Sequence, residues 1–379
     1  MRTVHIIGSF ATPNNPKYEL DAHNIKIIKY SKLLYDNKYN VIYYGTDGCQ
    51  QYISCNEYHP VIKLTEYDKI SKITNNFTSP EYLMAGCEFD YEKTRLNLLF
   101  SENARKILFK NYKDGDFVLH FYCNDLFLGC INVRMSHGGG YWKNYNHVSF
   151  ETESFMIDEF RNGHNLTTAG VIHPWFDHLD FCYNPSNKYK TPTFLFMARC
   201  IMFKGIHYFL KFSKEFPDYN FIIAGGTIQY DNNTGIMNIG SLGVEKDNYI
   251  CIHDYPNVKY VGPVFGDQKK ELLSRSTALI QPTEYFEPCG WNVLEAMVSG
   301  TPVLVPHFGG FRDTVIDGVT GYFCRPNDWI KNMNRVQKLQ PINCRNHVIK
   351  NFNKDKAILS IDKFLNNVAL RYNQCVSHY

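Results

Sequence analysis

The chain has 379 residues, which suits two domains of about 150–200 residues each rather than one. Lys and Arg total 40 against 37 Asp and Glu, and this net charge of +3 gives no reason to expect a nucleic-acid partner. The 12 cysteines show no CxxC spacing and are interpreted as reduced thiols rather than a disulfide framework. Without a signal-peptide pattern or a long apolar run, the sequence predicts a cytoplasmic protein with no transmembrane segment.

Strand and helix patterns alternate along the amino-terminal half. Apolar runs and helical spacing predict a strand at 4–7, a helix at 21–37 and strands at 40–44, 117–121 and 131–135. This is the rhythm of a parallel sheet. Residues 171–192, rich in Pro, Asn and Asp, interrupt the rhythm and are interpreted as an interdomain linker.

The rhythm restarts in the carboxyl-terminal half. It predicts strands at 193–198, 220–224, 258–262, 278–281 and 302–306, and helices at 205–216, 267–274, 290–299 and from about 343 to the end. The prediction is therefore an α/β protein with two Rossmann-like domains facing across a cleft. They cover residues 1–175 and 176–352, with a C-terminal helix from about 353–379 packing back on the first domain. Ligands of such sheets bind at the carboxyl ends of the strands.

The segment from Glu287 to Glu295 carries the strongest chemical signal. A helix is predicted to begin near Gly290, directly after a strand, and the first amides of a helix lack intrahelical partners. The helix dipole is positive at that end, so the segment predicts an anion site suited to phosphate. One carboxylate could reach a sugar and the other a ribose. The structural alternative makes Glu287 a helix cap and Glu295 a solvated helix position.

A second signal is the pair of cations Arg199 and Lys204. Arg199 leaves the end of a predicted strand and Lys204 starts the next helix, so both are predicted to point into the cleft. Two cations there can neutralise a diphosphate leaving group. An isolated Arg and Lys are usually surface charges, but the helix start and the two acids downstream favour the functional interpretation.

Glu287-Pro-Cys-Gly-Trp-Asn-Val-Leu-Glu295 resembles the E-x7-E signature of retaining glycosyltransferases of the family 4 type, which have the two-Rossmann-domain GT-B fold. Three later segments resemble the continuation of that signature: Gly300-Thr-Pro-Val, Gly309-Gly310-Phe-Arg-Asp-Thr-Val and Gly318-Val-Thr-Gly.

The upstream cations resemble the same family's Gly-Arg-x4-Lys-Gly motif, with Ala198 in place of its first glycine. The family also commonly has a glycine pair in its first loop, where this chain has the single Gly8. That departure leaves the role of the loop open.

The resemblance implies a role for each matching residue. Glu295 would hold the ribose hydroxyls and Glu287 would sit against the transferred sugar. The catalytic set implied is Arg199, Lys204, Glu287 and His137. The donor-binding set implied is Gly8, Gly262, Val264, Cys289, Gly290, Trp291, Asn292, Val293 and Glu295.

His137 follows a predicted strand and precedes three glycines, in a position resembling the family's histidine near the donor sugar. The glycine run favours a loop that a ligand approaches closely, and a structural histidine is the alternative. His120 and Asp125, near another strand end, are acceptor-side candidates.

The resemblance implies retaining transfer from a nucleotide-diphosphate sugar, a UDP- or GDP-sugar, to a carbohydrate, glycan or small-molecule acceptor. Front-side attack is favoured, because no second carboxylate is placed to act as a nucleophile. No Asp-x-Asp or His/Cys set convincingly binds a metal, so no metal and no cofactor are expected. The alternatives are a starch or glycogen synthase-like enzyme, a sugar-nucleotide epimerase, a phosphorylase with pyridoxal phosphate, and a non-catalytic nucleotide-sugar-binding module.

Overall fold

A computed structural model describes residues 1–9, 22–63, 91–121, 127–137, 145–163, 166–227, 229–240 and 248–376. Within these residues the chain forms two lobes, each built on a parallel β-sheet flanked by helices. The predicted α/β architecture with two Rossmann-like sheets is therefore confirmed. No helix in these ranges is long and apolar enough to cross a membrane.

The amino lobe contains a seven-stranded sheet in the order β3-β2-β1-β4-β5-β6-β7, and its pairings are parallel. Its described elements, in chain order, are β1 (Thr3–Ile7), α1 (Ala22–Asp36), β2 (Asn40–Thr46), β3 (Glu57–Ile62), α2 (Tyr91–Asn111), β4 (Phe117–His120), β5 (Ile131–His137), β6 (His147–Phe150), α3 (Glu153–Arg161) and β7 (Thr168–Val171).

The carboxyl lobe contains a six-stranded parallel sheet in the order β12-β9-β8-β13-β14-β15, with β10 and β11 paired antiparallel beside it. Its described elements are β8 (Thr193–Met197), α4 (Ile206–Glu215), β9 (Asn220–Ala224), β10 (Ile236–Asn238), β11 (Tyr249–Cys251), β12 (Val258–Gly262), α5 (Gly266–Arg275), β13 (Ala278–Ile280), α6 (Trp291–Val298), β14 (Val303–Pro306), α7 (Phe311–Thr314), β15 (Gly321–Cys324), α8 (Trp329–Val336), α9 (Pro341–Asn351) and α10 (Lys354–Val376).

The central strands are apolar throughout because both faces of each sheet are covered. Phe194, Leu195 and Phe196 of β8 are consecutive and fully buried. Such runs are typical of parallel strands with helices on both sides. Because β8, β9, β12 and β13 run parallel, their carboxyl ends lie at one edge of the second sheet. This edge faces the other lobe.

Two connections join the lobes. Residues 172–192, which the structure describes throughout, contain only the short turns His178–Asp180 and Pro185–Asn187. The second connection is the step from α9 to α10, and α10 returns to the first lobe. Its residues Ile361, Leu365 and Val368 share a core with strand β1.

Candidate active site

A cavity of about 440 Å³ lies between the lobes, at the carboxyl ends of β8, β9, β12 and β13. Most of its wall belongs to the carboxyl lobe. The amino lobe contributes Ile25 and Lys26 of α1 and Glu151, the residue after β6. The cavity therefore lies at the sheet edge where open α/β sheets bind their ligands.

The turn that carries Glu287 is held by the glycine pair after β14. The amide of Gly310 donates to the Glu287 carbonyl at 2.7 Å. A Cβ on Gly310 would lie 2.2 Å from the Pro288 carbonyl oxygen, and one on Gly309 would lie 2.7 Å from that of Glu287. Because no side chain fits into these contacts, the pair lets two backbone segments meet and fixes the position of Glu287.

Three lysine–carboxylate pairs line the cavity. Lys204 contacts Glu287 at 2.5 Å, Lys269 contacts Glu295 at 2.8 Å, and Lys26 contacts Glu151 at 2.8 Å. The described lining residues include these three carboxylates and four cations, the fourth being Arg199. The balance is one positive charge, to which the start of α6 adds the positive end of its dipole. This electrostatic arrangement suits an anionic ligand.

Lys204 is almost buried, with 8% of its surface exposed. It lies in the short turn Met202–Lys204, and α4 begins two residues later, so the prediction that Lys204 starts the helix is wrong. Its ammonium nitrogen is 4.6 Å from the centre of the Tyr285 ring. Burial raises the pKa of the Tyr285 hydroxyl, which keeps it protonated at neutral pH.

Asn292 ties α6 to the ends of two strands. Its side-chain amide donates to the Met197 carbonyl at 2.7 Å and to the Gln281 side-chain oxygen. The side chain therefore anchors the helix, although it also lines the cavity.

The structure gathers seven of the sequence-predicted residues around the cavity. They are Arg199, Lys204, Val264, Glu287, Trp291, Asn292 and Glu295. Two others, Cys289 and Val293, have their side chains in the lobe's apolar core, with 1% and 0% exposed. Only the backbone of those two residues can meet a donor, because the side chains face inward.

The remaining predicted residues lie at ends of elements. Gly262 is the last residue of β12 and Gly290 precedes α6. The amide of Gly8, just after β1, donates to the Tyr44 carbonyl at 2.9 Å. His137 is the last residue of β5; its side chain and the residue Asp125 lie outside the described residues.

His120 is a core residue rather than an acceptor-side group, which corrects its prediction. It is fully buried, and its Nε2 lies 2.9 Å from the side-chain oxygen of Asn132. Its ring packs against Phe127 and Tyr145. Burial lowers the pKa of His120 to about 3, so the ring is neutral.

The sequence prediction missed Lys26, Glu151 and Lys269, all of which line the cavity. Lys269 had a usable signal, since it stands early in a predicted helix that follows a strand. Glu151 had none, because strand β6 before it was not predicted. Among the described residues, no cluster of three or more His, Cys, Asp or Glu side chains is placed to hold a metal ion.

Comparison with known proteins finds a family match in the carboxyl lobe. Residues 184–367 match the family described as Glycosyl transferases group 1. The matched residues make up most of the carboxyl lobe. The protein "Uncharacterized glycosyltransferase MJ1607" of Methanocaldococcus jannaschii is 26% identical over 212 residues, which cover 54% of this chain and 50% of that protein. The chain thus spans about half the length of this curated relative.

Solved structures show the fold of the whole chain. Sucrose-phosphate synthase from Thermosynechococcus elongatus superposes with a TM-score of 0.63 at 14% identity, covering 100% of both chains. Anabaena HepE in complex with UDP and glucose gives a TM-score of 0.60 at 14% identity, covering 97% of this chain and 100% of that one. The GT-B fold is confirmed. The family that the carboxyl lobe matches is one of glycosyltransferases, the class that the sequence predicted.

Proposed function

We propose that the protein transfers a sugar from a UDP- or GDP-sugar to a hydroxyl group of a carbohydrate, glycan or small molecule. The proposal includes retention of the anomeric configuration, independence of a metal ion and a cytoplasmic location. The observation that carries it is the cavity in which Arg199, Lys204 and the start of α6 surround one space beside Glu287 and Glu295. Such a space suits a diphosphate joined to a sugar on one side and a ribose on the other.

The cations act on the leaving group. As the bond from the sugar carbon C1 to phosphate breaks, negative charge grows on the phosphate oxygens. Arg199, Lys204 and the first amides of α6 stabilise this charge more in the transition state than in the ground state. Because these groups are already in place, little reorganisation accompanies the reaction.

Binding of the donor would change the partners of Lys204 and Glu287. Without a ligand, the two side chains neutralise each other at 2.5 Å. A bound phosphate competes for the Lys204 ammonium, and the Glu287 carboxylate is then able to accept hydrogen bonds from hydroxyls of the donor sugar. Donor binding therefore exchanges one ion pair for two charged contacts to the substrate.

Glu295 is the proposed ribose ligand. It stands one turn inside α6 and is held by Lys269 at 2.8 Å. A carboxylate accepts hydrogen bonds from both hydroxyls of a ribose. His137 and the backbones of Gly8, Gly262, Cys289, Gly290 and Val293 complete the proposed donor site.

Retention is assigned to front-side attack. The acceptor oxygen bonds to C1 on the face that the phosphate leaves, the C1–O bond to phosphate breaks, and the acceptor proton passes to a phosphate oxygen. This route needs no protein nucleophile. The described carboxylates of the cavity fit it, since each one pairs with a lysine.

The test is a thermal-shift screen of UDP-, GDP- and ADP-sugars, followed by turnover assays. UDP-sugars come first, since the related fold of HepE was solved with UDP and glucose. A true donor should raise the melting temperature by mass action, and its turnover should survive excess EDTA. NMR of the product then reports the anomeric configuration. If no nucleotide sugar and no nucleoside diphosphate stabilises the protein, the proposal is wrong.

A further inference from the structure

One carboxylate oxygen joins the two lobes at the wall of the cavity. Oε1 of Glu151 accepts hydrogen bonds from the Lys26 ammonium at 2.8 Å and from the indole Nε1 of Trp291 at 3.0 Å. Lys26 and Glu151 belong to the amino lobe, whereas Trp291 is the first residue of α6 in the carboxyl lobe. The side chains of Lys26 and Glu151 are only 5% and 4% exposed.

Residues of the amino lobe and of the interdomain linker contact the Trp291 ring on several sides. The ammonium groups of Lys26 and Lys29 lie 5.6 Å and 5.0 Å from its ring centre. Phe176 meets it edge to face at 5.8 Å. Cations over an aromatic face and an edge-on ring are both attractive arrangements. The indole therefore has a defined orientation set by groups outside its own helix.

The residues after Glu151 contact the same part of the carboxyl lobe. The Thr152 hydroxyl donates to the Pro288 carbonyl at 2.6 Å, and the Ser154 amide donates to the Asp313 carboxylate at 2.9 Å. Pro288 adjoins the proposed sugar ligand Glu287. Thr152 thus contacts the turn that carries Glu287, and Ser154 contacts the neighbouring helix α7.

We propose that Glu151 is a positioning residue, which through Trp291 sets the orientation of the first turn of α6 and thereby the affinity for the donor's diphosphate. The inference rests on the proposed function. A buried ion pair costs desolvation and contributes little stability compared with apolar side chains of similar volume. Here the pair of Lys26 and Glu151 fixes the position of the Glu151 oxygen that accepts the hydrogen bond from the indole N–H. The pair thereby sets the orientation of the Trp291 side chain.

The orientation of this turn bears on binding because its amides must point at the phosphates. Hydrogen bonds to charged groups depend strongly on angle and distance. A tilt of α6 would weaken contacts from several amides together, without removing any group that touches the ligand. The amino lobe would in this way control the affinity for the diphosphate, although the amides that bind the diphosphate belong to the carboxyl lobe.

The experiment compares Glu151→Ala, Glu151→Gln, Trp291→Phe and the double variant Glu151→Ala/Trp291→Phe. Isothermal titration with UDP and with GDP gives the dissociation constants, and urea unfolding gives the stability of each protein. Lys32→Gln is the matched control. Lys32 lies on the exposed face of α1, the helix that carries Lys26, and it pairs with Asp36.

We expect Glu151→Ala and Trp291→Phe each to weaken nucleotide binding about tenfold or more, as loss of a charged hydrogen bond does. The double variant should be little worse than either single variant, because both break one contact. Glu151→Gln keeps an oxygen acceptor for the indole and should lose less than Glu151→Ala. The Lys32 variant should bind as the wild type does.

The outcomes separate the two proposals. If the wild type binds neither nucleotide, the proposed donor class fails and the inference fails with it. If the wild type binds, but folded Glu151 and Trp291 variants bind equally well, only the positioning role is refuted. Reduced stability with an unchanged dissociation constant would likewise show a purely structural contact.

Discussion

Replacing Lys204 by alanine tests the central electrostatic claim. The ammonium lies 2.5 Å from Glu287 and 4.6 Å from the Tyr285 ring centre, in a turn where only 8% of the residue is exposed. In such a water-poor place, removing one preorganised donor to a developing charge costs about 100- to 1000-fold in rate, or roughly 3–4 kcal/mol.

Two effects of this substitution must be separated. The variant loses a cation for the phosphate and also leaves the Glu287 carboxylate, whose side chain is 16% exposed, without its lysine. Repulsion between that carboxylate and the diphosphate would raise KM, whereas loss of transition-state stabilisation lowers kcat. We therefore expect a fall in kcat of about two to three orders of magnitude together with weaker nucleotide binding.

The assay measures initial rates over a range of donor concentrations, using the donor found in the thermal screen. Lys211→Ala, on the exposed face of α4, is the matched control because it removes a lysine from the same helix region. Circular dichroism confirms that both variants fold. A Lys204 variant with the kcat of the wild type would show that another group stabilises the leaving phosphate.

Three further predictions follow from particular contacts. Glu295→Ala should weaken binding of the bare nucleoside diphosphate by about 1.5–3 kcal/mol, and unchanged affinity in titration would remove its ribose role. Gly310→Ala should destabilise the protein and abolish turnover, since its Cβ would lie 2.2 Å from the Pro288 oxygen; wild-type unfolding in urea would contradict this. His120 has a folded pKa of about 3, below its unfolded value, so the unfolded chain binds the extra proton. The free energy of unfolding should thus fall as the pH drops from 6.5 towards 3, by about 1.4 kcal/mol per pH unit at most. Urea unfolding at several pH values should show a shallower loss of stability for His120→Gln than for the wild type. Parallel pH dependences of the two proteins would refute the assignment of this loss to His120.

Much of the fold was predictable because it depends on local pattern. The strand at Asn220–Ala224 and the helix Ile206–Glu215 were found from apolar runs and spacing, with bounds within one residue. Elements with weaker patterns, such as β6 and α3, were missed. Their residues are specified by contacts with the rest of the lobe more than by their own periodicity.

The sequence by itself also determined the principal candidate residues. The spacing of Glu287 and Glu295 places one acid just before a helix and the other one turn inside it, and Arg199 and Lys204 lie in the connection that follows another strand at the same sheet edge. These relations are set by short stretches of chain, so they can be read without tertiary structure.

Only the tertiary structure decided which partners these groups have. Lys26 and Glu151 are 125 residues apart in sequence and meet Trp291 from the other lobe. Core packing likewise turned the Cys289 and Val293 side chains inward, where they lack access to a ligand. Such contacts join segments from separate sheets, and no local periodicity encodes them. They come from the way the two lobes pack, which brings the ends of distant strands to one cavity.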